Sequence, residues 1–221
     1  MRVVGGEWKG RPLAAPAGRS TRPTSDKVRE AVFGILAALP EAQFGGDLDG
    51  DDPAAAGPAG PLAGHAVLDL FAGSGALGIE ALSRGARSCA FVENDRGALR
   101  AVRQNLEKVG LAVSPRVRVV AADVRRALQA DARRGARYTL VLADPPYALY
   151  EAVRPALLRL LPPVLAPRAV LVVETAAGTA AALPWTVLRE KRYGDTRVTV
   201  LVAGDGDESE GVGVHDEAPS E

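Results

Sequence analysis

One cysteine, one methionine and two histidines among 221 residues leave little scope for thiol, thioether or imidazole chemistry. Cys89 stands alone between Ser88 and Ala90 in an apolar stretch, so no internal disulfide can form, and the role expected of it is that of a small buried apolar residue. His65 and His215 are too few and too scattered for a transition-metal site, and no metal is expected. The chain also lacks any apolar run of the roughly 18 residues that a membrane helix needs. Arg2, Trp8, Lys9 and Arg11 break up any signal-like apolar core at the start. A cytoplasmic protein with no membrane partner, monomeric by default, is the expectation. No internal repeat is visible.

The composition is that of a globular chain able to bury one sizeable core. Its formal net charge of zero hides an asymmetry. Two segments without Lys or Arg hold twelve of the 27 acids: Glu41, Asp47, Asp49, Asp51 and Asp52 in one, and Asp205, Asp207, Glu208, Glu210, Asp216, Glu217 and Glu221 in the other. The body that remains sets 27 bases against 15 acids, a formal +12, which suits a polyanionic partner without choosing between DNA and RNA.

Residues 1–24 form a basic arm with short extended pieces around Val3-Val4 and Leu13-Ala14. Val28, Ala31, Val32, Ile35, Leu36 and Leu39 recur at helical spacing, with Thr24 or Ser25 as cap and Pro40 as stop. Residues 40–64 and 204–221 lack periodicity and read as a flexible insert and an acidic tail. The domain division is therefore 1–39, 40–64, 65–203 and 204–221. Within 65–203, strands alternate with helices as in a parallel α/β sheet. Strands are predicted at Ala66–Leu70, Ser88–Val92, Arg116–Ala121, Tyr138–Ala143 and Ala169–Glu174, with helices at Ala76–Arg84, Arg96–Val109, Val124–Arg133 and Tyr150–Leu161. Trp185–Lys191 and Thr196–Val202 then suggest a closing antiparallel hairpin.

Two turns carry the chemistry. Asp144-Pro145-Pro146-Tyr147 follows an apolar run; its prolines fix the backbone and remove two N–H donors, leaving acceptors that suit the hydrogens of a base amine. Tyr147 adds a flat face for stacking. A plain strand-to-loop stop is the structural alternative. Upstream, Phe71-Ala-Gly73-Ser-Gly75 with Gly78 satisfies GxGxxG, so a nicotinamide dinucleotide must be weighed. Asp69 would repel its pyrophosphate and instead favours the ammonium and sulfonium of S-adenosylmethionine. Glu93, with Asn94 following it, suits ribose hydroxyls, and Asp123 with the Val124 N–H suits an adenine. These acids also precede helices, so capping is their structural alternative.

These residues together resemble the bacterial RsmD-type methyltransferases. The resemblance covers Arg2–Gly6 with Lys9-Gly-Arg11, Thr21–Glu30, Leu68–Gly85, Phe91-Val-Glu93, Leu142–Tyr147 and Tyr193-Gly-Asp-Thr196, leaving out only the insert and the tail. It implies a class I, Rossmann-like fold with a seven-stranded, mostly parallel sheet and helices on both faces. It also implies S-adenosylmethionine as cofactor, and 16S rRNA in the small ribosomal subunit or a late assembly particle as partner. Asp144 and the Pro145 carbonyl would orient the N2 amine of a flipped guanine, and Tyr147 would stack on it. Arg2, Lys9, Arg11, Arg19, Arg22 and Lys27 would grip RNA. Arg29 is either a further RNA contact or an internal ion-pair partner, and Phe33 is read as core.

Three other readings compete: a DNA adenine or cytosine amino methyltransferase, which shares the DPPY signature; a noncatalytic RNA-binding assembly factor, opposed by the intact Asp69, Gly73, Gly75, Glu93 and Asp144; and a dehydrogenase, opposed by Asp69 and DPPY. Replacing Arg19 and Arg22 together by Ala is expected to weaken RNA affinity and flatten its salt dependence; an unchanged salt slope in a binding titration would remove them from the phosphate contacts.

Overall fold

The computed structural model describes residues 1–16, 25–40 and 59–204. Arg19, Arg22, Thr24, His215, the acids of the insert and tail, and most of the proposed insert lie outside the described residues. Helix α1 (Asp26–Ala37) is capped by Ser25, whose hydroxyl accepts the Val28 N–H. There follow β1 (Ala66–Leu70), α2 (Ala76–Ser83), β2 (Ser88–Glu93), α3 (Arg96–Lys108), β3 (Val117–Ala121), α4 (Val124–Arg133), β4 (Tyr138–Ala143), α5 (Tyr150–Leu160), β5 (Leu165–Ala176), β6 (Thr186–Tyr193) and β7 (Thr196–Val202).

The strands join one seven-stranded sheet in the order β3-β2-β1-β4-β5-β7-β6. The first five are parallel, and β7 pairs antiparallel with both β5 and β6. The seven-stranded, mostly parallel arrangement is the one that the resemblance implies. Strand β5 runs longer than the apolar pattern suggests: Arg168, at φ +56°, and a register irregularity against β4 interrupt its ladder, and pairing resumes on either side.

Alternating side chains divide the core between the two faces. Leu68 and Leu70 of β1 pack with α4 and α5, whereas Val67 packs with α1, α2 and α3. The second of these faces also receives the N-terminal segment. Val3, Trp8 and Leu13 are buried in the same cluster as Val32, Phe33 and Leu36. The segment folds back on itself through a bridge between Arg2 and Pro12, so the extended pieces expected there do pair. It is bolted to α2 by Val4 N–H to Glu80 Oε2 (2.8 Å) and Trp8 N–H to Ser83 Oγ (3.0 Å). At Gly6, φ is +76° and an added Cβ would lie 1.9 Å from the Ser83 carbonyl oxygen, so only glycine fits. Residues 1–16 are therefore part of the main core as well as the carriers of its basic side chains.

At the N-terminal ends of β3 and β4, away from the strand termini discussed below, Asp131 of α4 is buried among Arg118 (2.7 Å), Arg134 (2.9 Å) and the Tyr138 hydroxyl (2.6 Å). Burial alone would raise its pKa, but hydrogen bonds from Tyr138, Arg134 and Arg118 outweigh that and hold it below the usual carboxylate value. A depressed carboxylate contributes stability above its unfolded pKa of about 4 and loses it as pH falls through the folded value. Asp131→Asn is therefore expected to cost about 2–3 kcal/mol at neutral pH, reduced from the fully buried case because both arginines are partly solvated. Urea melts should show the gap to the wild-type protein shrinking at acidic pH; a gap that stays constant would exclude the charge as its source.

Candidate active site

The sheet changes winding direction between β1 and β4, and in parallel α/β sheets a crevice opens at the strand C-termini beside such a switch. The pairing of Leu70 with Ala143 sets the two chemical turns side by side at this point. One runs from Phe71 to Gly75 into α2; the other is Asp144 to Tyr147, leading into a short 3-10 turn at Tyr147–Leu149. Both border a cleft of about 1030 Å³, large enough for two small planar groups.

Asp69, Phe71, Gly73, Glu93 and Asn94 line this cleft, as do Asp123, Asp144, Pro145, Pro146 and Tyr147. Gly75 and Val124 are not on its wall. Gly75, at φ +75°, precedes α2, and an added Cβ there would lie 3.3 Å from the Phe91 ring, a tight contact. Val124 is buried at the start of α4. Phe71 has φ +60°, a left-handed conformation costing on the order of 1–3 kcal/mol for a non-glycine residue, and it sits at the turn that the site requires.

Each acid has work to do in the turns themselves. Asp69 Oδ2 accepts the Gly78 N–H at 3.0 Å, giving α2 the cap that Gly75 cannot supply. Glu93 accepts Gly73 N–H at 2.9 Å through one oxygen, and Asn94 and Asp95 N–H at 2.8 Å through the other. This carboxylate thus fixes the glycine turn against the end of β2. Asp123 caps α4 through Arg125 N–H (2.9 Å), the structural alternative for this residue, and it also lines the cleft.

The second turn is braced from across the sheet. The Tyr147 hydroxyl and Thr196 Oγ1 share a hydrogen bond of 2.5 Å, which fixes the half-exposed ring against the start of β7. Burial, with the charges of Asp144, Glu174 and Asp195, pushes the Tyr147 phenol up against the lowering effect of Thr196, so it stays protonated at neutral pH.

Of the basic residues singled out from sequence, Arg2, Lys9, Arg11 and Lys27 lie among the described residues. Lys27 borders the cleft. Arg2 is exposed and lies 3.6 Å from Asp26, Arg11 donates to the Lys108 carbonyl (2.8 Å), and Lys9 is exposed. Arg29 is wholly buried, donating to Asp26 (2.7 Å) and to the Arg2 carbonyl (2.6 Å), so the internal ion-pair reading describes it. Phe33 is core, with the Arg84 guanidinium 5.2 Å from its ring centroid.

Sequence reasoning gave no site role to Glu174, nor to Asp195 and Thr196 of the Tyr193-Gly-Asp-Thr196 segment, and all three border the cleft. Glu174 carried a signal: it closes an apolar strand run, as Glu93 does. Thr196 was marked only by the Tyr193-Gly-Asp-Thr196 resemblance, and its contact with Tyr147 depends on how β7 pairs. Among the described residues no cluster of His, Cys, Asp and Glu is arranged to hold a metal, and no helix is long and apolar enough to cross a membrane.

Residues 1–202 match the family model described as Conserved hypothetical protein 95. The chain is 36% identical over 150 residues to ribosomal RNA small subunit methyltransferase D of Escherichia coli, a match covering 66% of this chain and 60% of that protein. It is 30% identical over 196 residues to the protein of the same name from Haemophilus influenzae, covering 88% of this chain and 89% of that one. Among solved structures it resembles a hypothetical protein of Thermus thermophilus, with 29% identity, a TM-score of 0.70, and 92% and 99% of the two chains covered.

Burial pushes Asp69 up to about 8, against the pull of the Gly78 N–H, and the charges of Asp144 and Glu93 add to the rise. A raised carboxylate holds its proton in the folded chain while the unfolded chain releases it, so this group's contribution to stability falls as pH climbs from about 4 to about 8. Asp69→Asn keeps an acceptor for Gly78 but cannot titrate. Denaturant melts across this range should show the wild-type protein losing stability more steeply than the variant, by up to one proton, or about 1.4 kcal/mol per pH unit. Parallel slopes would mean that Asp69 is ionised throughout.

Proposed function

The chain belongs to the Conserved hypothetical protein 95 family, the RsmD-type methyltransferases, and from that premise we propose that it transfers a methyl group from S-adenosylmethionine to the exocyclic N2 amine of one guanine in 16S rRNA. The observation that carries this reading is the meeting, in a single cleft, of the Phe71–Gly75 turn and the Asp144–Tyr147 turn. The partner is the small ribosomal subunit or a late assembly particle, and the enzyme acts as a cytoplasmic monomer.

The residues fit the cofactor. A cleft whose inner wall carries Asp69, Glu93 and Asp123 suits a ligand with two positive centres and several hydroxyl and amine donors. A carboxylate raised to about 8 by burial is one that a nearby cation would return to its charged form. Asp69 would hold the ammonium, Glu93 the ribose hydroxyls and Asp123 the adenine amine, with Phe71, Gly73 and Asn94 forming the adjoining wall. When bound, S-adenosylmethionine supplies a methyl group activated by its sulfonium.

The remaining steps belong to the protein. A guanine amine is a weak nucleophile because its lone pair is delocalised into the ring, so orientation matters more than a strong base. Asp144 and the Pro145 carbonyl accept the two N2 hydrogens and hold the lone pair towards the methyl donor. Pro146 keeps the backbone rigid, and Tyr147, braced by Thr196, stacks on the extruded base. Once the methyl is attached, the nitrogen is cationic and strongly acidic, and its proton passes to the Asp144 carboxylate or to water.

Labelled methyl transfer to small subunits from cells lacking this protein, followed by digestion and mass identification of the nucleoside, tests the assignment. N2-methylguanosine at one site is expected; label on adenine, or none, would refute it. Asp144→Ala should abolish single-turnover transfer while leaving cofactor affinity within a few-fold of wild type, and near-normal turnover would remove Asp144 from the mechanism.

A further inference from the structure

The sheet ends on β6, and that edge is basic. Arg189, Lys191 and Arg192 are all exposed on the outermost strand. The one acid of the strand, Glu190, is turned to Arg197 of β7 at 3.5 Å. Among the described residues the three cations have no acidic partner at salt-bridge distance, and Lys191 instead lies 5.5 Å from the centroid of the Tyr193 ring.

The direction of the strand gives these charges their significance. Strand β7 runs antiparallel to β5, and β6 antiparallel to β7, so β6 climbs towards the same end of the sheet as the cleft. It ends at Tyr193, which borders the cleft. At about 3.3 Å per residue, Arg189 is roughly 13 Å down the strand from Tyr193, within a few nucleotides of a base held there. Arg189 and Lys191 are paired with Val200 and Val198, residues of the core face that also receives α1 and the N-terminal segment. Arg189 and Lys191 therefore flank the cleft on the same side of the sheet as Lys27, while Arg192, paired with Arg197, extends the basic edge from the other face.

We infer that the β6 edge is an RNA-backbone contact surface, on which Arg189, Lys191 and Arg192 hold phosphates flanking the base that enters the cleft. This rests on the rRNA reading above and adds a second anchor to the N-terminal one. Charged edge strands also deter sheet-to-sheet pairing, but charge of either sign serves that purpose. Here the strand's acid is neutralised by Arg197, and the surplus positive charge leads to the cleft.

The test uses the full chain with Arg189→Gln, Lys191→Gln and Arg192→Gln combined, and a matched variant carrying Arg133→Gln, Arg137→Gln and Arg159→Gln at the opposite end of the sheet. Binding to a short mixed-sequence single-stranded RNA is titrated over a range of KCl, and KM and kcat are measured on unmethylated small subunits, with cofactor affinity as the check on folding. The β6 variant is expected to flatten the log–log salt slope by about 0.7 per lost phosphate contact, about 2 in all, and to weaken RNA binding on the order of tenfold or more at physiological salt. KM should rise with kcat and cofactor affinity unchanged. The matched variant should resemble wild type, and Arg189→Lys with Arg192→Lys should restore most of the slope. A wild-type slope and KM in the β6 variant, or equal losses in both Gln variants, would overturn the inference. Failure of the guanine reading is separately visible: the wild-type protein would bind RNA yet leave guanine unlabelled, while the comparison of variants would still decide the footprint.

Discussion

The hydrogen bond between the Asp69 carboxylate and the Gly78 N–H underlies the rest of the site. It reaches from the middle of the sheet into the first turn of α2, where Gly75 leaves the helix without a side-chain cap. Gly78 itself admits no larger residue, since an added Cβ would lie 2.4 Å from the Phe91 ring. Helix, turn and sheet are thereby tied together around a turn in which Phe71 is left-handed and Gly73 lines the cleft. A carboxylate kept out of water at this depth is unfavourable in its charged form, and a positive charge brought beside it would relieve that cost.

The N-terminal segment, proposed to contact RNA, is also structural. Trp8 and Leu13 complete the core, and Asn105 of α3 clamps the Ala14 backbone through both its donor and its acceptor while also donating to Ser74 in the glycine turn. Any group bound by Lys9 or Arg11 is thus connected, through two hydrogen bonds and a helix, to the turn beside Asp69. The segment behaves mechanically as part of the site's wall.

The alternating architecture was legible because each parallel strand is a short apolar run and each helix repeats its apolar residues every three or four positions. The two turns were legible because glycine and proline leave few backbone choices. What could not be read was whatever depended on pairing between distant elements. Thr196 looks like any strand residue until β7 places it against Tyr147. For Arg29 the sequence left an RNA contact and an internal ion pair both open, and the choice depends on Asp26 and the Arg2 carbonyl meeting its guanidinium. The opposite bias affected the arm: its charges suggested an appendage, whereas Val3, Trp8 and Leu13, too sparse to form a periodic pattern, decide that it belongs to the core.

The central pairing of β1 with β4 also bears on how the chain comes into being. The two strands are joined across a sequence separation of 73 residues, as in the bond from Ala66 N–H to the Thr139 hydroxyl, and the brace on Tyr147 comes from later still. Loop-closure entropy opposes such contacts until most of the domain has been assembled. As the ribosome synthesises the chain from its N-terminus, the cleft cannot exist in a half-made protein, and binding competence arrives as one of the last events of folding. A cofactor that binds only the finished cleft draws the final, slowest pairings towards completion and selects, by mass action, the molecules that have made them.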